Sequence, residues 1–140
     1  LTQDEVGKIH RHPKIGTDLI KPLEFVELVS NIILHHHERV DGRGYPMGLK
    51  GNDIPIGSRI LAIVDAYQSM TSERPYRDKL TPEEAVLELV ECSGTDFDVE
   101  VVDAFVDVVS NDGRITIAQK KQFRKMLKEG VPQVGLARRR

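Results

Sequence analysis

Three consecutive histidines followed by a glutamate, His35 to Glu38, close a long apolar stretch of the chain. Neighbouring residues of a helix project about 100° apart, so the spacing predicts that His36 and His37 flank the core-facing direction while His35 and Glu38 face solvent. Neutral imidazole is the commonest metal ligand in proteins, and two adjacent inward histidines could each bind one ion of a close metal pair. The alternative is a pair of core histidines whose nitrogens are satisfied by backbone or carboxylate groups.

Asp65 is a second candidate ligand, because it interrupts the apolar run of residues 60–66. We expect this helix to be buried, and a buried unpaired carboxylate is very costly. Asp65 is therefore expected to be paired, hydrogen-bonded or bound to a metal. A carboxylate combined with several imidazoles suits iron, manganese or zinc. A salt bridge to Arg59 or Arg74 is the alternative.

Two other features carry weaker signals. His12 precedes Pro13 at an expected helix break, whereas His10 is expected at the surface. Arg74 and Arg77 lie close together on a segment that a proline stiffens, and guanidinium groups match phosphate oxygens. These arginines could equally be solvated or pair with carboxylates.

The segment between the histidines and the next apolar run is rich in glycine and proline. Its members are Gly42, Gly44, Pro46, Gly48, Gly51 and Pro55. This composition predicts a loop over residues 39–55. A loop of that length in a compact domain is usually functional.

Helical periodicity covers nearly all the rest of the chain, and no segment predicts a strand. The sequence therefore predicts an all-α fold, a helical bundle of about five to seven helices. The first four helices are expected over residues 2–11, 13–20, 23–38 and 56–71. Three more are expected to begin at caps on Thr81, Asp98 and Thr116, and to end near Gly94, Ser110 and Gly130.

Composition limits the classes of function. Hydrophobic residues make up 39% and charged residues 30% of the 140, which is ordinary for one globular domain. No run approaches the ~20 apolar residues of a membrane span. Cys92 is the only cysteine, which excludes a disulfide within these residues and a cysteine-based zinc site. This usage fits a reducing, cytoplasmic setting.

The charge is unevenly distributed along the chain. Residues 1–113 carry 11 basic and 21 acidic side chains, whereas residues 114–140 carry nine basic and one acidic. A basic end can bind nucleic acid or anionic lipid. This one lacks interleaved aromatic residues and any recognition module, so we expect a solvated helix with no nucleic-acid or membrane partner.

The run HHERVDGRGYP at residues 36–46 resembles the signature of the HD-GYP family, a branch of the HD metal-dependent phosphohydrolases. His12-Pro13 with Gly16 upstream, and the segment from Arg59 to Arg77 downstream, match that family in order and spacing. The resemblance covers about residues 1–110. It implies a helical fold around two or three divalent metal ions, often iron or manganese, and hydrolysis of the second messenger cyclic di-GMP to pGpG or GMP.

The resemblance also assigns residues. The implied metal ligands are His12, His36, His37 and Asp65. The implied substrate-binding residues, in the loop and at the phosphate or guanine groups, are Gly44, Tyr45, Arg74 and Arg77. Gln68 departs from the family, since many members have aspartate there.

The family's upstream ligands, including its His-Asp dipeptide, have no counterpart in these residues. We therefore expect a partial HD-GYP-like domain over residues 1–110, lacking its N-terminal helices, and a C-terminal helix with a basic tail over 111–140. The first hypothesis is a metal-dependent cyclic di-GMP phosphodiesterase seen as a partial domain. The alternative is a catalytically inactive derivative that binds cyclic di-GMP or, through the loop at residues 44–46, a protein partner. Apolar surface left uncovered on helices 23–38 and 56–71 predicts a homo-oligomer.

Overall fold

A computed structural model describes residues 2–21 and 26–130, and within these ranges the fold is all-α, as predicted. The seven α-helices are α1 (Gln3–His10), α2 (His12–Ile20), α3 (Val26–Leu34), α4 (Ile56–Thr71), α5 (Pro82–Glu91), α6 (Val99–Asn111) and α7 (Ile117–Glu129). A 3₁₀ turn spans Gly51–Asp53, and extended pairing among the described residues is limited to isolated bridges such as Asp41 with Lys50.

The helix starts follow local sequence signals. Three helices begin at a threonine whose hydroxyl accepts the N–H three residues on, while the side chain at that position accepts the threonine N–H. The pairs are Thr2 with Glu5, Thr81 with Glu84 and Thr116 with Gln119. Asp98 caps α6 by accepting the N–H groups of Glu100 and Val101. Such caps stabilise a helix by about 1 kcal/mol each, and all four predicted starts are confirmed.

The predicted helix over residues 23–38 is wrong at its C-terminal end. The helix α3 stops at Leu34, and residues 35–37 form a turn in which the Glu38 N–H donates to the His35 carbonyl at 3.1 Å. The predicted start of this helix at residue 23 lies outside the described ranges. Because the turn changes the direction of the side chains, His35 and Glu38 are buried and their predicted exposure to solvent is wrong.

The chain divides into two compact units, residues 1–62 and 63–140, with the division inside α4. In the first unit, α1 packs against α2 and α2 packs against α3. The Ser58 hydroxyl at the start of α4 donates to the Ile32 carbonyl of α3 at 2.8 Å. A Cβ on Gly57 would lie 2.5 Å from the end of the Ile32 side chain, so glycine permits this close approach.

In the second unit, α5, α6 and α7 pack together. Its fully buried apolar side chains include Ile63, Met70, Val86, Leu89, Val90, Val102 and Val106. Lys120 of α7 pairs with Asp107 of α6, and Arg124 Nε lies 3.1 Å from Asp103 Oδ1. Two of the basic side chains after residue 113 thus form ion pairs within the second unit. The predicted boundary near residue 110 stays a prediction.

Of the helices in the described part of the chain, none is both long and apolar enough to cross a membrane.

Candidate metal centre

The structure brings three of the four predicted metal ligands together. His12 opens α2, and His36 and His37 lie in the turn after α3. Because α2 packs against α3, one ring nitrogen from each histidine lies within 4.8 Å of the other two. His12 is exposed, and His36 and His37 are half-buried. Their clustering gives a physical basis for metal binding, which itself stays a prediction.

Backbone carbonyls fix the orientation of two of these rings. His12 Nδ1 lies 2.5 Å from the Ile9 carbonyl oxygen, and His36 Nδ1 lies 2.6 Å from the Ile33 carbonyl oxygen. A carbonyl only accepts, so each Nδ1 carries the proton and donates it. In the neutral ring Nε2 then keeps its lone pair. This second contact is how proteins orient histidines that bind metals.

His12 and His37 approach each other through their Nε2 atoms at 3.0 Å, with the rings nearly perpendicular at 82°. Three imidazole nitrogens within 4.8 Å of one another could hold a divalent cation of the iron, manganese or zinc type.

Glu38 links the histidine turn to the glycine-rich loop. Its buried carboxylate accepts the Met47 N–H at 2.6 Å and the Leu49 N–H at 3.0 Å. His35 Nδ1 lies 3.5 Å from Glu38 Oε1. The role of Glu38 was not predicted, because the helical projection of residues 23–38 placed it on a polar face. The sequence signal for this role was the position of Glu38 directly after His37 and before a loop with many backbone N–H groups that a carboxylate can accept.

Gly44 lies against the backbone of the histidine turn. A Cβ there would be 2.4 Å from the Arg39 nitrogen and 2.6 Å from the His37 carbonyl oxygen, so glycine is required by close packing. The next residue, Tyr45, donates its N–H to the same His37 carbonyl at 3.2 Å. The loop that was predicted to line a substrate site is thus held directly beside His37, one of the predicted ligands.

The Tyr45 ring stacks with two imidazoles. Its centroid lies 4.1 Å from that of His10 and 5.1 Å from that of His37, with interplanar angles of 15° and 20°. His10 is exposed, as predicted, but its contact with Tyr45 was not. The stack extends the histidine cluster towards α1.

Asp41 organises the first part of the loop. Its carboxylate accepts two hydrogen bonds from the Arg39 guanidinium, at 3.2 and 2.7 Å, and one from the Arg43 N–H at 3.0 Å. Burial raises the pKa of Asp41, but the hydrogen bonds from Arg39 and Arg43 outweigh burial and hold the pKa below its ordinary value. Asp41 is therefore ionised near neutral pH.

Asp65 belongs to the second unit and is exposed, so the prediction that it is buried is wrong. The reason is the face on which α4 packs. Ile63, Ala66 and Met70, which are spaced three and four apart, are buried, and Asp65 lies off that face. Asp65 therefore does not need a partner to offset burial of its charge, and its role in metal binding stays a prediction. Gln68 is also exposed.

Arg74 and Arg77 also belong to the second unit, and they differ in their surroundings. Arg74 is exposed, whereas Arg77 is half-buried and donates from Nη2 to the Ser69 carbonyl of α4 at 2.9 Å. The Arg77 N–H donates to the Arg74 carbonyl at 3.3 Å, which closes a turn. The Arg77 guanidinium thus holds its segment against α4. Phosphate binding by Arg74 or Arg77 stays a prediction.

Comparisons with known proteins point to one family. Residues 1–101 match the family described as HD domain. The chain is 41% identical over 108 residues to the cyclic di-GMP phosphodiesterase response regulator RpfG of Xanthomonas campestris, which covers 76% of this chain and 29% of that protein. It is 40% identical over 89 residues to the 3'3'-cGAMP-specific phosphodiesterase 1 of Vibrio cholerae, which covers 61% of this chain and 20% of that one.

The comparison with solved structures points to the same family. A crystal structure of a cyclic GMP-AMP-specific phosphodiesterase of Vibrio cholerae is similar, with a TM-score of 0.67 and 26% identity. The similarity covers 89% of this chain and 30% of that chain. The chain therefore spans less than a third of the length of these relatives.

Proposed function

The chain belongs to the HD domain family, and we propose that it forms part of a metal-dependent phosphodiesterase that hydrolyses a cyclic dinucleotide. Cyclic di-GMP is the first candidate substrate, with pGpG or GMP as product, and cyclic GMP-AMP is the second. The observation that carries the proposal is the convergence of the His12, His36 and His37 ring nitrogens beside the loop of Gly44 and Tyr45. The relatives named for cyclic di-GMP and for cGAMP support this substrate class.

The three histidines would hold a divalent metal ion, and we propose iron or manganese in a site of two or three ions. A bound metal ion activates water and neutralises charge on phosphoryl oxygens. The Nδ1 contacts of His12 and His36 to backbone carbonyls keep Nε2 available. Tyr45 offers a ring beside the cluster.

The proposed contributions of the second unit have a different basis. Asp65 as a further metal ligand, and Arg74 and Arg77 as phosphate-binding groups, are proposed from the match to the family motif. We place the activity in the cytoplasm, where it would act on second-messenger signalling. The single cysteine is in keeping with that setting.

The test is turnover of cyclic di-GMP by the 140-residue chain with Fe²⁺ or Mn²⁺ in the absence of oxygen. Products are separated by chromatography, and cyclic GMP-AMP is run in parallel. Metal-dependent turnover that is lost in His36→Ala and His37→Ala would support the phosphodiesterase. Mn²⁺ binding and cyclic di-GMP binding are measured separately by calorimetry.

The calorimetric measurements and the upstream coding region together test the alternative hypothesis. Binding of cyclic di-GMP without turnover is expected both from a fragment of the enzyme and from a catalytically inactive HD-GYP-derived module, and a His-Asp dipeptide in the coding region upstream would favour the fragment. A chain that binds neither Mn²⁺ nor a cyclic dinucleotide would contradict both. A protein partner at residues 44–46 and a homo-oligomer stay predictions.

A further inference from the structure

We propose that Glu38 is a positioning residue that holds loop residues 44–49 against the turn carrying His36 and His37, and thereby fixes Tyr45 beside the metal centre. The consequence for substrate binding rests on the proposed function. The positioning itself does not, because it is read from contacts inside the first unit.

Each oxygen of the Glu38 carboxylate accepts a hydrogen bond from a backbone N–H group. Its side chain has 0% relative exposure, Oε1 accepts the Met47 N–H at 2.6 Å, and Oε2 accepts the Leu49 N–H at 3.0 Å. Burying a carboxylate is costly unless hydrogen bonds replace its water. Bonds from backbone N–H groups to an ionised acceptor are short and strong, and two of them fix both position and direction.

The loop is held on both sides of Tyr45 by two consecutive residues. Before the ring, the Tyr45 N–H donates to the His37 carbonyl, and Gly44 packs on the backbone of residues 37–39. After the ring, Glu38 accepts from Met47 and Leu49. Without the bonds from Met47 and Leu49 to Glu38, Pro46 would no longer be held in place. The Tyr45 ring would then move away from His37.

The same contacts distinguish Glu38 from a metal ligand. The metal-ligand cluster among the described residues consists of His12, His36 and His37, and Glu38 is not a member. Both carboxylate oxygens already accept N–H groups. We therefore expect Glu38→Gln to leave Mn²⁺ affinity within about twofold while it displaces Tyr45. The amide keeps the size of the side chain but has only one acceptor atom.

The first measurement uses the unmodified chain, so it does not depend on the folding of a variant. Amide hydrogen exchange is followed by NMR at Met47 and Leu49. Both amides should exchange at least about tenfold more slowly than the same residues in an unstructured peptide, because each is bonded to a buried carboxylate. Exchange at the unstructured rate would overturn the proposal.

The second measurement compares Glu38→Gln with Glu27→Gln, an exposed glutamate of α3. Glu38→Gln should shift the Tyr45 ring resonances, which Tyr45→Phe identifies, and should accelerate exchange at Met47 or Leu49. The Kd for cyclic di-GMP should rise about tenfold, because displacement of the Tyr45 ring removes a preorganised contact beside the candidate metal centre. Glu27→Gln should change none of these.

Three outcomes of this second measurement contradict the proposal. The first is that the Tyr45 resonances of Glu38→Gln match those of the unmodified chain. The second is that cyclic di-GMP binds both proteins with equal affinity. The third is that Glu38→Gln loses Mn²⁺ binding as His37→Ala does. If the unmodified chain binds no cyclic dinucleotide, the proposed function fails. The exchange rates, the Tyr45 resonances and the Mn²⁺ affinity still decide the role of Glu38.

Discussion

His37 Nε2 lies 3.0 Å from His12 Nε2, although 25 residues separate the two in the chain. The packing of α2 against α3 brings them together, and the Ile9 carbonyl turns the His12 ring so that its Nε2 faces His37. Two nitrogens held this close to each other form a pair of ligands that a cation could bind without rearrangement of the backbone. We therefore expect an added metal ion to bind at the cluster of His12, His36 and His37.

The first prediction concerns metal affinity. His12→Ala and His37→Ala should each lower Mn²⁺ affinity at least about tenfold, because each removes one of the three imidazoles proposed to hold the ion. Isothermal titration with Mn²⁺ measures the change. The control is His10→Ala, an exposed histidine that stacks on Tyr45 but lies outside the cluster. A loss of the same size in His10→Ala would show that the ion binds elsewhere.

The second prediction separates two glycines. Gly44→Ala should lower the free energy of unfolding by about 1–3 kcal/mol, the usual cost of overpacking, because the new Cβ meets backbone atoms that cannot move aside. Gly7 lies inside α1, and a Cβ there meets nothing within 4 Å. Gly7→Ala should therefore raise the free energy of unfolding by about 0.5–1 kcal/mol.

Urea unfolding curves of both variants measure these changes. If Gly44→Ala and Gly7→Ala changed stability by the same amount and sign, the close packing of the loop on residues 37–39 would be refuted.

The sequence predicts those parts of the fold that local signals determine. The threonine caps and the helix α4 are examples, because hydrogen bonds within four residues and a continuous apolar run decide them. The end of α3 is different. Four residues after that end, the buried Glu38 accepts N–H groups nine and eleven residues later in the chain, and no local signal predicts such contacts.

Asp65 and Tyr45 show the same limit in the candidate site. An apolar helix predicts burial, but the side of α4 that is covered depends on its neighbours, and Asp65 lies on the exposed side. The stack of Tyr45 with His10 and His37 joins three segments, and no spacing in the sequence encodes it. The motif match identified His12, His36 and His37 as a group, and tertiary packing supplies their geometry.

The third prediction concerns pH. The pKa of Asp41 is lowered in the folded chain, so its contribution to stability is present above the unfolded value of about 3.9 and is lost as pH falls through the folded value. Asp41→Asn should cost about 1–2 kcal/mol at pH 7, because bonds to a charged acceptor are lost. The difference between the two proteins should shrink below about pH 4.

Urea unfolding from pH 3 to pH 7 measures this dependence. Asp53→Asn serves as the control, since Asp53 is an exposed carboxylate of the same loop region. A penalty for Asp41→Asn that stayed constant down to pH 3 would mean that the charge of Asp41 is unimportant.

The fourth prediction distinguishes structural from binding roles of the two arginines. Arg77→Ala should lower the free energy of unfolding by about 1–2 kcal/mol, because it removes a half-buried donor to the Ser69 carbonyl. Arg74→Ala, at an exposed position, should stay within about 0.5 kcal/mol. If both guanidinium groups bind phosphate, as proposed, both variants should weaken binding of cyclic di-GMP.

Thermal unfolding and calorimetric titration of each variant separate these effects. Arg77→Lys adds a further comparison, because it keeps the positive charge but replaces the planar guanidinium with a single ammonium group. If Arg74→Ala left nucleotide affinity unchanged while Arg77→Ala lost both stability and affinity, Arg74 would not be a phosphate-binding residue. The Arg77→Lys variant then separates the two causes for Arg77, because a variant that regains stability but not nucleotide affinity would assign the guanidinium to phosphate binding, and one that regains both together would assign it to the contact with α4.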